Sequence, residues 1–339
     1  MRLKRSMRWE ARTLAPIISL FLLIVGTALV VPGFLKLSIV DGHIYGSLID
    51  ILHRSTPTAL IALGMAVVIG TKGIDLSVGA IIAICGAVTA VLTASTELHP
   101  LIVLGCALLA GMVCGLWNGT LVAVFGIQPI VATLILMVAG RGIAQMITGG
   151  QIVTFHSDFI NGIGNGFFLG LPARVVLAAV IIAITVLVLR KTALGMFLEA
   201  VGGNSEASRL VGIDSKLLIL MVYVFSGFCA ALAGVIIAAD IRGADANNAG
   251  LWLELDAILA VVIAGASLSG GRIYLGLTIV GALIIQTLTT AILTSGLPAQ
   301  YNLIVKASII LVVLLLQSRV TQSFIKTRVQ AFRRSSDAQ

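Results

Sequence analysis

This sequence is short of charge and of cysteine, and it lacks the motifs of nucleotide-binding enzymes. Only 11% of its 339 residues are charged while 59% are hydrophobic, which excludes a soluble globular protein of this length. Without a Walker-type phosphate-binding loop, the chain is predicted not to bind ATP itself. The four histidines pair with no nucleophile or carboxylate at a catalytic spacing, so no catalytic residue and no cofactor is predicted.

The cysteines are few and dispersed. All four lie inside apolar runs, without a CxxC pair or any other metal-ligand spacing, which predicts neither a disulfide nor a metal site. They are Cys85, Cys106, Cys114 and Cys229.

Long apolar runs follow one another along almost the whole chain. They predict an all-α polytopic membrane protein with about ten transmembrane helices. The runs are 15–31, one that ends at Gly70, 76–94, 101–125, 130–148, 175–189, 217–239, 257–268, 273–293 and 303–317. Residues 32–55 are predicted to be exposed, and the run 257–268 is unusually short for a span. The first run is long for a cleaved signal peptide, which favours an uncleaved first span.

Basic residues predict the orientation. The net charge is +8, and most of the 22 Lys and Arg residues lie in the N-terminus, in the interior stretch 190–216 or in the tail. Positive flanks mark the cytoplasmic side, so both termini are predicted to be cytoplasmic, and no nucleic-acid partner is needed to explain the charge. The chain 1–339 is then a single transmembrane domain with a basic N-terminus, 1–14, and a basic tail, 318–339. Arg141 and Lys306, within or beside runs, are expected to snorkel.

The interior stretch 190–216 is predicted to form two short helices. Residues 193–201 favour the first, which Gly202 and Gly203 are expected to end. Asn204 follows and is a good N-cap for a second helix.

The second helix, 205–211, is two-faced. Glu206 lies at its positive end and Gly212 just past its last turn. The apolar residues that share one face are Ala207, Leu210 and Val211. Such a helix can lie flat on the bilayer or fit into a groove of a soluble partner, and these residues alone leave both interpretations open.

Ionisable groups are scarce within the runs. Asp75 and Asp256 each stand at the start of a run, where a helix cap explains them better than a proton carrier, and this disfavours an ion-coupled transporter. Glycine, with 36 residues, favours close helix packing, for example at Gly79, Gly86, Gly105, Gly111 and Gly115. Uncharged polar residues in the runs either line a path for a polyol or join helices; they are Asn118, Thr133, Gln145, Gln286 and Thr290.

Several motifs stand out together. They are GIDLSVG at 73–79, the stretch 199–212, LDAI at 255–258 and SLSGG at 267–271. They resemble the permeases of monosaccharide importers of the ATP-binding-cassette (ABC) class, in the branch for ribose, xylose and galactose, and the resemblance covers almost the whole chain. The stretches 134–142, 151–155, 190–197 and 238–262 are most similar to galactofuranose-importer permeases.

The resemblance implies a bacterial inner-membrane importer of a galactofuranose or galactose-type hexose. A periplasmic sugar-binding protein delivers the sugar, a separate ABC ATPase subunit drives transport, and a second permease, a similar but different chain, completes the path through the lipid. It also implies that the loop after the sixth span is the coupling element. The expected ATPase-coupling residues are Glu199, Gly202, Gly203, Asn204, Glu206, Ala207, Arg209 and Gly212.

The loops predicted to lie outside the membrane are expected to bind a partner. Two large polar loops, 149–173 and 240–254, are expected to receive the binding protein, with Asp240, Arg242 and Asp245 as orienting charges. Few aromatic residues lie in the spans, so a low-affinity passage is expected, lined by Asn118, Thr133 and Gln145.

Three alternatives stay open at this point. An ion-coupled secondary sugar carrier could share the composition, as could a structural membrane scaffold. A membrane-bound glycosyltransferase would need acidic residues to converge on a metal; the candidates are Asp240, Asp245, Glu254 and Asp256.

Overall fold

The computed structural model describes residues 2–40, 42–296, 303, 304, 307, 308 and 311. This part of the chain is mainly helical. Its helices are α1 (Arg2–Val30), α2 (Ser47–Gly70), α3 (Val78–Ser95), α4 (Pro100–Ala123), α5 (Pro129–Thr148), α6 (Asp158–Asn165), α7 (Ala173–Lys191), α8 (Ala193–Gly203), α9 (Ser205–Leu210), α10 (Ser215–Ile241), α11 (Leu253–Ile263) and α12 (Leu275–Thr294). Its strands are β1 (Ser38–Val40), β2 (His43–Tyr45), β3 (Val153–Thr154), β4 (Phe167–Phe168), β5 (Leu171–Pro172) and β6 (Gly243–Ala244).

The strands form three antiparallel pairs, β1 with β2, β3 with β6 and β4 with β5. The chain divides into two compact units, one made of Met1–Pro32 and Ile284–Gln339 and the other of Gly33–Leu283.

Seven of the described helices are long and apolar enough to cross a membrane; they are α2, α3, α4, α5, α7, α10 and α12. The sequence predicted each of them. The apolar part of α1, Leu14–Val30, is a shorter helix. The predicted span 303–317, Lys306 and the tail 318–339 lie outside the described residues, apart from five positions.

The second span begins earlier than predicted. Residues 47–55 were assigned to the exposed stretch before the span, but α2 starts at Ser47. Asp50 and Arg54, one turn apart, form an ion pair of 2.9 Å that favours the helix over this polar stretch.

The predicted span 257–268 is wrong in its extent. Helix α11 begins at Leu253 and ends at Ile263. Gly265 has φ of +84°, and the backbone N–H of Ala266 bonds to the carbonyl of Val261 at 3.3 Å. This left-handed glycine closes the helix with a Schellman motif, so α11 has only 11 residues and is too short to span a membrane alone.

Helix α10 lies at the centre of the larger unit, against α2, α3 and α4. Three glycines of α4 at four-residue spacing let α4 and α10 approach closely; they are Gly111, Gly115 and Gly119. A Cβ on Gly119 would lie 3.0 Å from the Cα of Leu220. This is the small-residue packing that the glycine content predicted. Gly105 is an exception, because a Cβ there would meet no described atom within 4 Å.

Candidate functional site

The predicted cap between α8 and α9 is confirmed. The side-chain oxygen of Asn204 accepts hydrogen bonds from the backbone N–H groups of Glu206 and Ala207, at 3.1 and 3.0 Å. The prediction that Gly202 and Gly203 end the first helix is wrong, because α8 continues through both. Asn204 itself ends α8 and starts α9, so one residue sets the angle between the two helices.

Helix α9 presents its apolar residues outward. Leu210 is 88% exposed and Val211 is 76% exposed, and Ala207 is exposed beside them. The buried residue of this helix is Ser208, whose hydroxyl donates to the carbonyl of Asn204 at 2.8 Å. The charged residues Glu206 and Arg209 are also exposed. The helix therefore offers a mixed apolar and charged surface.

The end of α8 contacts two other parts of the chain. The ammonium of Lys72 donates to the carbonyl of Gly203 at 2.9 Å. A Cβ on Gly202 would overlap the carbonyl oxygen of Gly70 and would lie 2.8 Å from the nitrogen of Gly271. A carboxylate oxygen of Glu199 accepts from the backbone N–H of Ile273 at 3.1 Å. We call this three-way contact the junction.

The segment 71–77, between α2 and α3, is the connector. It begins with a Schellman motif, since the N–H groups of Lys72 and Gly73 bond to the carbonyls of Ile69 and Val68, each at 3.0 Å. Lys72 takes the left-handed position of this motif, with φ of 65°, where glycine is usual. Its side chain is thereby held beside the end of α8.

Asp75 lies at the inner side of the connector and is fully buried. One carboxylate oxygen accepts from the hydroxyl of Ser77 at 2.6 Å, and the other accepts from the hydroxyl of Ser226 on α10 at 2.8 Å. Burial raises the pKa of Asp75, and the hydrogen bonds from Ser77 and Ser226 oppose that rise. The predicted cap role is wrong, because α3 begins at Val78 with Ser77 as its N-cap residue. Asp75 instead joins the connector to α10.

Two predicted path residues hold the same connector. The amide nitrogen of Asn118 donates to the hydroxyl oxygen of Ser77 at 2.7 Å. The hydroxyl of Thr133 lies 3.2 Å from the carbonyl oxygen of Ile74 and 2.9 Å from that of Pro129, between which it shares its one proton. Both side chains are fully buried, so in this conformation they join helices.

Gln145, the third path candidate, faces the segment that leads from β6 to α11. Its amide donates to the side-chain oxygen of Asn247 at 2.7 Å. One turn earlier on α5, the guanidinium of Arg141 donates to the carbonyls of Ala246 and Ala249, at 3.1 and 2.6 Å. Arg141 therefore binds a neighbouring segment and does not snorkel.

The two large polar loops form one paired surface. Strand β3 pairs with β6, with Val153 opposite Ala244. The N–H of Phe155 bonds to the carbonyl of Arg242 at 3.1 Å, so the pairing continues beyond the strands. Asp240 forms an ion pair of 3.2 Å with the buried Arg174, and Asp245 caps the N–H of Asn247 at 3.0 Å. Two of the three charges expected to orient a partner thus also have partners within the chain.

Within the described residues, no group of three or more His, Cys, Asp or Glu side chains could hold a metal ion. All four cysteines are free thiols. The acidic residues that a metal-dependent glycosyltransferase would need are dispersed: Asp240 pairs with Arg174, and Asp245 caps a turn.

Sequence reasoning missed the junction and the partners of the connector. Their contacts join residues far apart in the chain, such as Lys72 with Gly203, and local spacing carries no signal of them. The motif at 73–79 singled out the right segment, but not its partners.

Comparison with known proteins identifies a family and several relatives of this chain. Residues 47–314 match a family described as "Branched-chain amino acid transport system / permease component". A galactofuranose transporter permease protein of Escherichia coli is 54% identical over 95% of this chain and 94% of its own length. A fructose import permease protein of Bifidobacterium longum is 42% identical, over 82% of this chain and 79% of its own. A ribose import permease protein of Haemophilus influenzae is 36% identical, over 88% and 90%. No solved structure matches the chain.

The family match covers most of the chain, and the relatives align over most of their own lengths. The seven long apolar helices suit a multi-pass protein of the bacterial inner membrane. The chain therefore belongs to the branched-chain amino acid transport system permease family, whose members are the membrane-spanning subunits of ABC importers.

Proposed function

We propose that this chain is the permease subunit of an ABC importer that carries a monosaccharide of the galactofuranose or galactose type. The relative named for galactofuranose is more similar to this chain than the relatives named for fructose and ribose. This order of identity supports a galactose-type hexose. The sugar arrives on a periplasmic binding protein, and a separate ATPase subunit supplies the energy.

Residues 1–339 would form one permease domain of about ten spans, with 1–14 and 318–339 both in the cytoplasm. The seven long helices, Leu14–Val30, α11 with its flanking residues and the run 303–317 would be those spans. Two contacts support this topology. In an alternating path of spans, the connector and α8 would both lie on the cytoplasmic side, and the connector contacts α8. Strands β3 and β6 would both lie on the outer side, and they pair with each other.

The stretch 190–216, with its capped helix α9, is the proposed docking element for the ATPase. Two observations favour an ATPase as the partner: members of the family work with a separate ATPase, and the exposed surface of the stretch suits a protein partner. Exposed Leu210 and Val211 supply apolar area, and exposed Glu206 and Arg209 supply one charge of each sign. This outward-facing capped helix is the single observation that carries the proposal.

The junction is the proposed route from α9 to the spans. Movement of α8 would pull on the connector through Lys72 and on the turn after α11 through Glu199. The connector in turn contacts α10 through Asp75 and α4 through Ser77. Gly202 lets these backbones touch directly.

Of the two expected outer loops, 149–173 and 240–254, the proposed dock for the binding protein is the first together with the part of the second that pairs with it, 240–244. Asp240 and Arg242 lie in this dock and Asp245 lies beside it. A second permease, similar to this chain but a different gene product, would enclose the path with it. An ion-coupled carrier is disfavoured, because the family consists of ABC permeases and the described spans hold few ionisable groups.

Charge reversal on α9 tests the docking proposal. Glu206→Lys and Arg209→Glu should each reduce co-purification of the ATPase and sugar transport together, by about tenfold for a loss of 1.4 kcal/mol. Glu97→Lys, at an exposed position far from α9 in the chain, is the matched control and should change neither. Full ATPase association and transport in both α9 variants would contradict the proposal.

A further inference from the structure

Residues 245–252 run between the helices instead of over the surface. Ala244 belongs to the same buried apolar cluster as Ala90 of α3, and Ala246 belongs to the same cluster as Ala83 and Ala87. Gly250 lies directly against Gly79. From Ala90 to Gly79, α3 covers roughly 16 Å at 1.5 Å per residue. The chain therefore descends alongside α3 through about half the thickness of a bilayer core. We call residues 245–252 the re-entrant segment.

This segment is not helical, and helix α11 begins only at its inner end, at Leu253. Non-helical backbone at membrane depth is tolerated only where protein covers it or where it lines an aqueous cavity. The sequence placed these residues in an outer loop because they are polar. Polarity does not distinguish outer water from water inside a transport path.

The segment has two different sides. Ala246 and Gly250 are buried against α3, whereas Asn247, Asn248 and Trp252 are exposed. Exposed amides cannot face hydrocarbon without a large desolvation cost, so this side is suited to an aqueous path.

Hydrogen bonds from α5 fix the segment in place. Arg141 holds the carbonyls of Ala246 and Ala249, and Gln145 holds the side-chain oxygen of Asn247. The side chain of Asn248 is fixed by donating to Asp245 at 2.7 Å. Among the described residues, these bonds use the amide oxygen of Asn247 and the amide nitrogen of Asn248. The amide nitrogen of Asn247 and the amide oxygen of Asn248 have no protein partner there and are exposed.

A buried carboxyl group with an unpaired oxygen lies just beyond the inner end of the re-entrant segment. Glu254, in the first turn of α11, is only 3% exposed, and its Oε2 has no hydrogen-bond partner among the described residues. This oxygen lies beside Gly79 of α3, and so does the carbonyl oxygen of Gly250. On its exposed side the segment therefore offers the amide nitrogen of Asn247, the amide oxygen of Asn248 and the indole ring of Trp252 at membrane depth.

We propose that the re-entrant segment is a sugar-contact site in the translocation path, and that it binds a neutral polyhydroxylated monosaccharide through Asn247, Asn248 and Trp252. A free donor beside a free acceptor matches neighbouring sugar hydroxyls, and an exposed indole can cover the C–H face of a sugar ring. Arg141 and Gln145 are positioning residues that hold the segment's backbone and Asn247. This proposal rests on the proposed function.

The test uses the reconstituted transporter with its ATPase, second permease and binding protein, and measures sugar delivered per ATP hydrolysed. Asn247→Ala and Trp252→Ala should each lower this ratio about tenfold, as expected for a lost contact of roughly 1.4 kcal/mol. Trp252→Phe should keep most of the sugar delivered per ATP, because phenylalanine retains an aromatic ring at this position. Trp117→Ala is the matched control, since Trp117 is 55% exposed and Trp252 is 52% exposed.

A second measurement does not depend on transport. Asn248→Cys should react with a membrane-impermeant maleimide, and added sugar and binding protein should slow that reaction during turnover. An unreactive Asn248→Cys, or an unchanged ratio in both Asn247→Ala and Trp252→Ala, would overturn the proposal. Failure of the proposed function would be distinct, because uptake by the unmodified transporter would then not depend on ATP.

Discussion

The ammonium of Lys72 donates a hydrogen bond of 2.9 Å to the carbonyl oxygen of Gly203, and so joins the connector to the end of α8. The two residues are far apart in the sequence and lie on different elements. This contact places the connector directly behind the proposed ATPase dock.

Removing this contact should uncouple transport from ATP hydrolysis. In Lys72→Asn the left-handed backbone is tolerated, because asparagine adopts it readily, but the side chain is too short to reach Gly203. The account expects a loss of about tenfold in sugar transported per ATP, within the 5- to 150-fold range typical of coupling between sites. Uptake and hydrolysis measured together in proteoliposomes would check this.

Two controls accompany that variant. Lys72→Arg keeps a cation of similar reach and should retain most of the coupling. Lys36→Asn removes an exposed lysine elsewhere and should have no effect. Full coupling in Lys72→Asn would show that the hydrogen bond between Lys72 and Gly203 is not needed to couple ATP hydrolysis to transport.

Adjacent glycines at the end of α8 should respond differently to alanine. At Gly202 a Cβ would overlap the backbone of Gly70, whereas at Gly203 it would meet no described atom within 4 Å. Gly202→Ala should therefore lower the free energy of unfolding by about 1–3 kcal/mol. Gly203→Ala should be neutral or slightly stabilising, because both positions are helical. Thermal unfolding in detergent compares them, and equal melting temperatures would contradict the tight junction.

The buried carboxyl of Asp75 should make stability depend on pH. Because burial raises its pKa above the ordinary value of 3.8, the folded protein holds this proton more tightly than the unfolded chain does. Its stabilising contribution is full below about pH 4 and is lost as the pH rises through the folded-state pKa.

The side chain in Asp75→Asn cannot ionise, so this variant should not show the decline. Its melting temperature relative to that of the unmodified protein should therefore rise as the pH rises. Asp158→Asn, at a fully exposed side chain, is the control. Melting temperatures across the pH series decide the matter, and parallel profiles for the unmodified protein and Asp75→Asn would count against the buried acid.

Local chemistry was predictable from the sequence. Asn204 was identified as a cap because capping needs only a side-chain oxygen and the next turn. Most spans were found for the same reason, since the length of an apolar run is a local property. The end of α11 was missed because the left-handed conformation of Gly265 was not recognised as a stop signal.

Contacts between distant segments were not predictable. Asn118 and Thr133 were expected either to line the path or to join helices, because they are polar and lie within spans. Both hold the connector, a partner that the sequence did not indicate because its position is set by tertiary packing. The polar stretch from Asp245 looked like an outer loop. Composition indicates contact with water, but it does not say at which depth in the membrane.

Sugar uptake by proteoliposomes that contain this permease, its partner subunits and the binding protein distinguishes an ATP-driven importer from an ion-coupled carrier. We expect uptake of a galactofuranose or galactose-type sugar that requires ATP and the ATPase and is unaffected when ionophores collapse the ion gradients. Uptake that continues without the ATPase and stops when the ion gradients collapse would contradict this expectation.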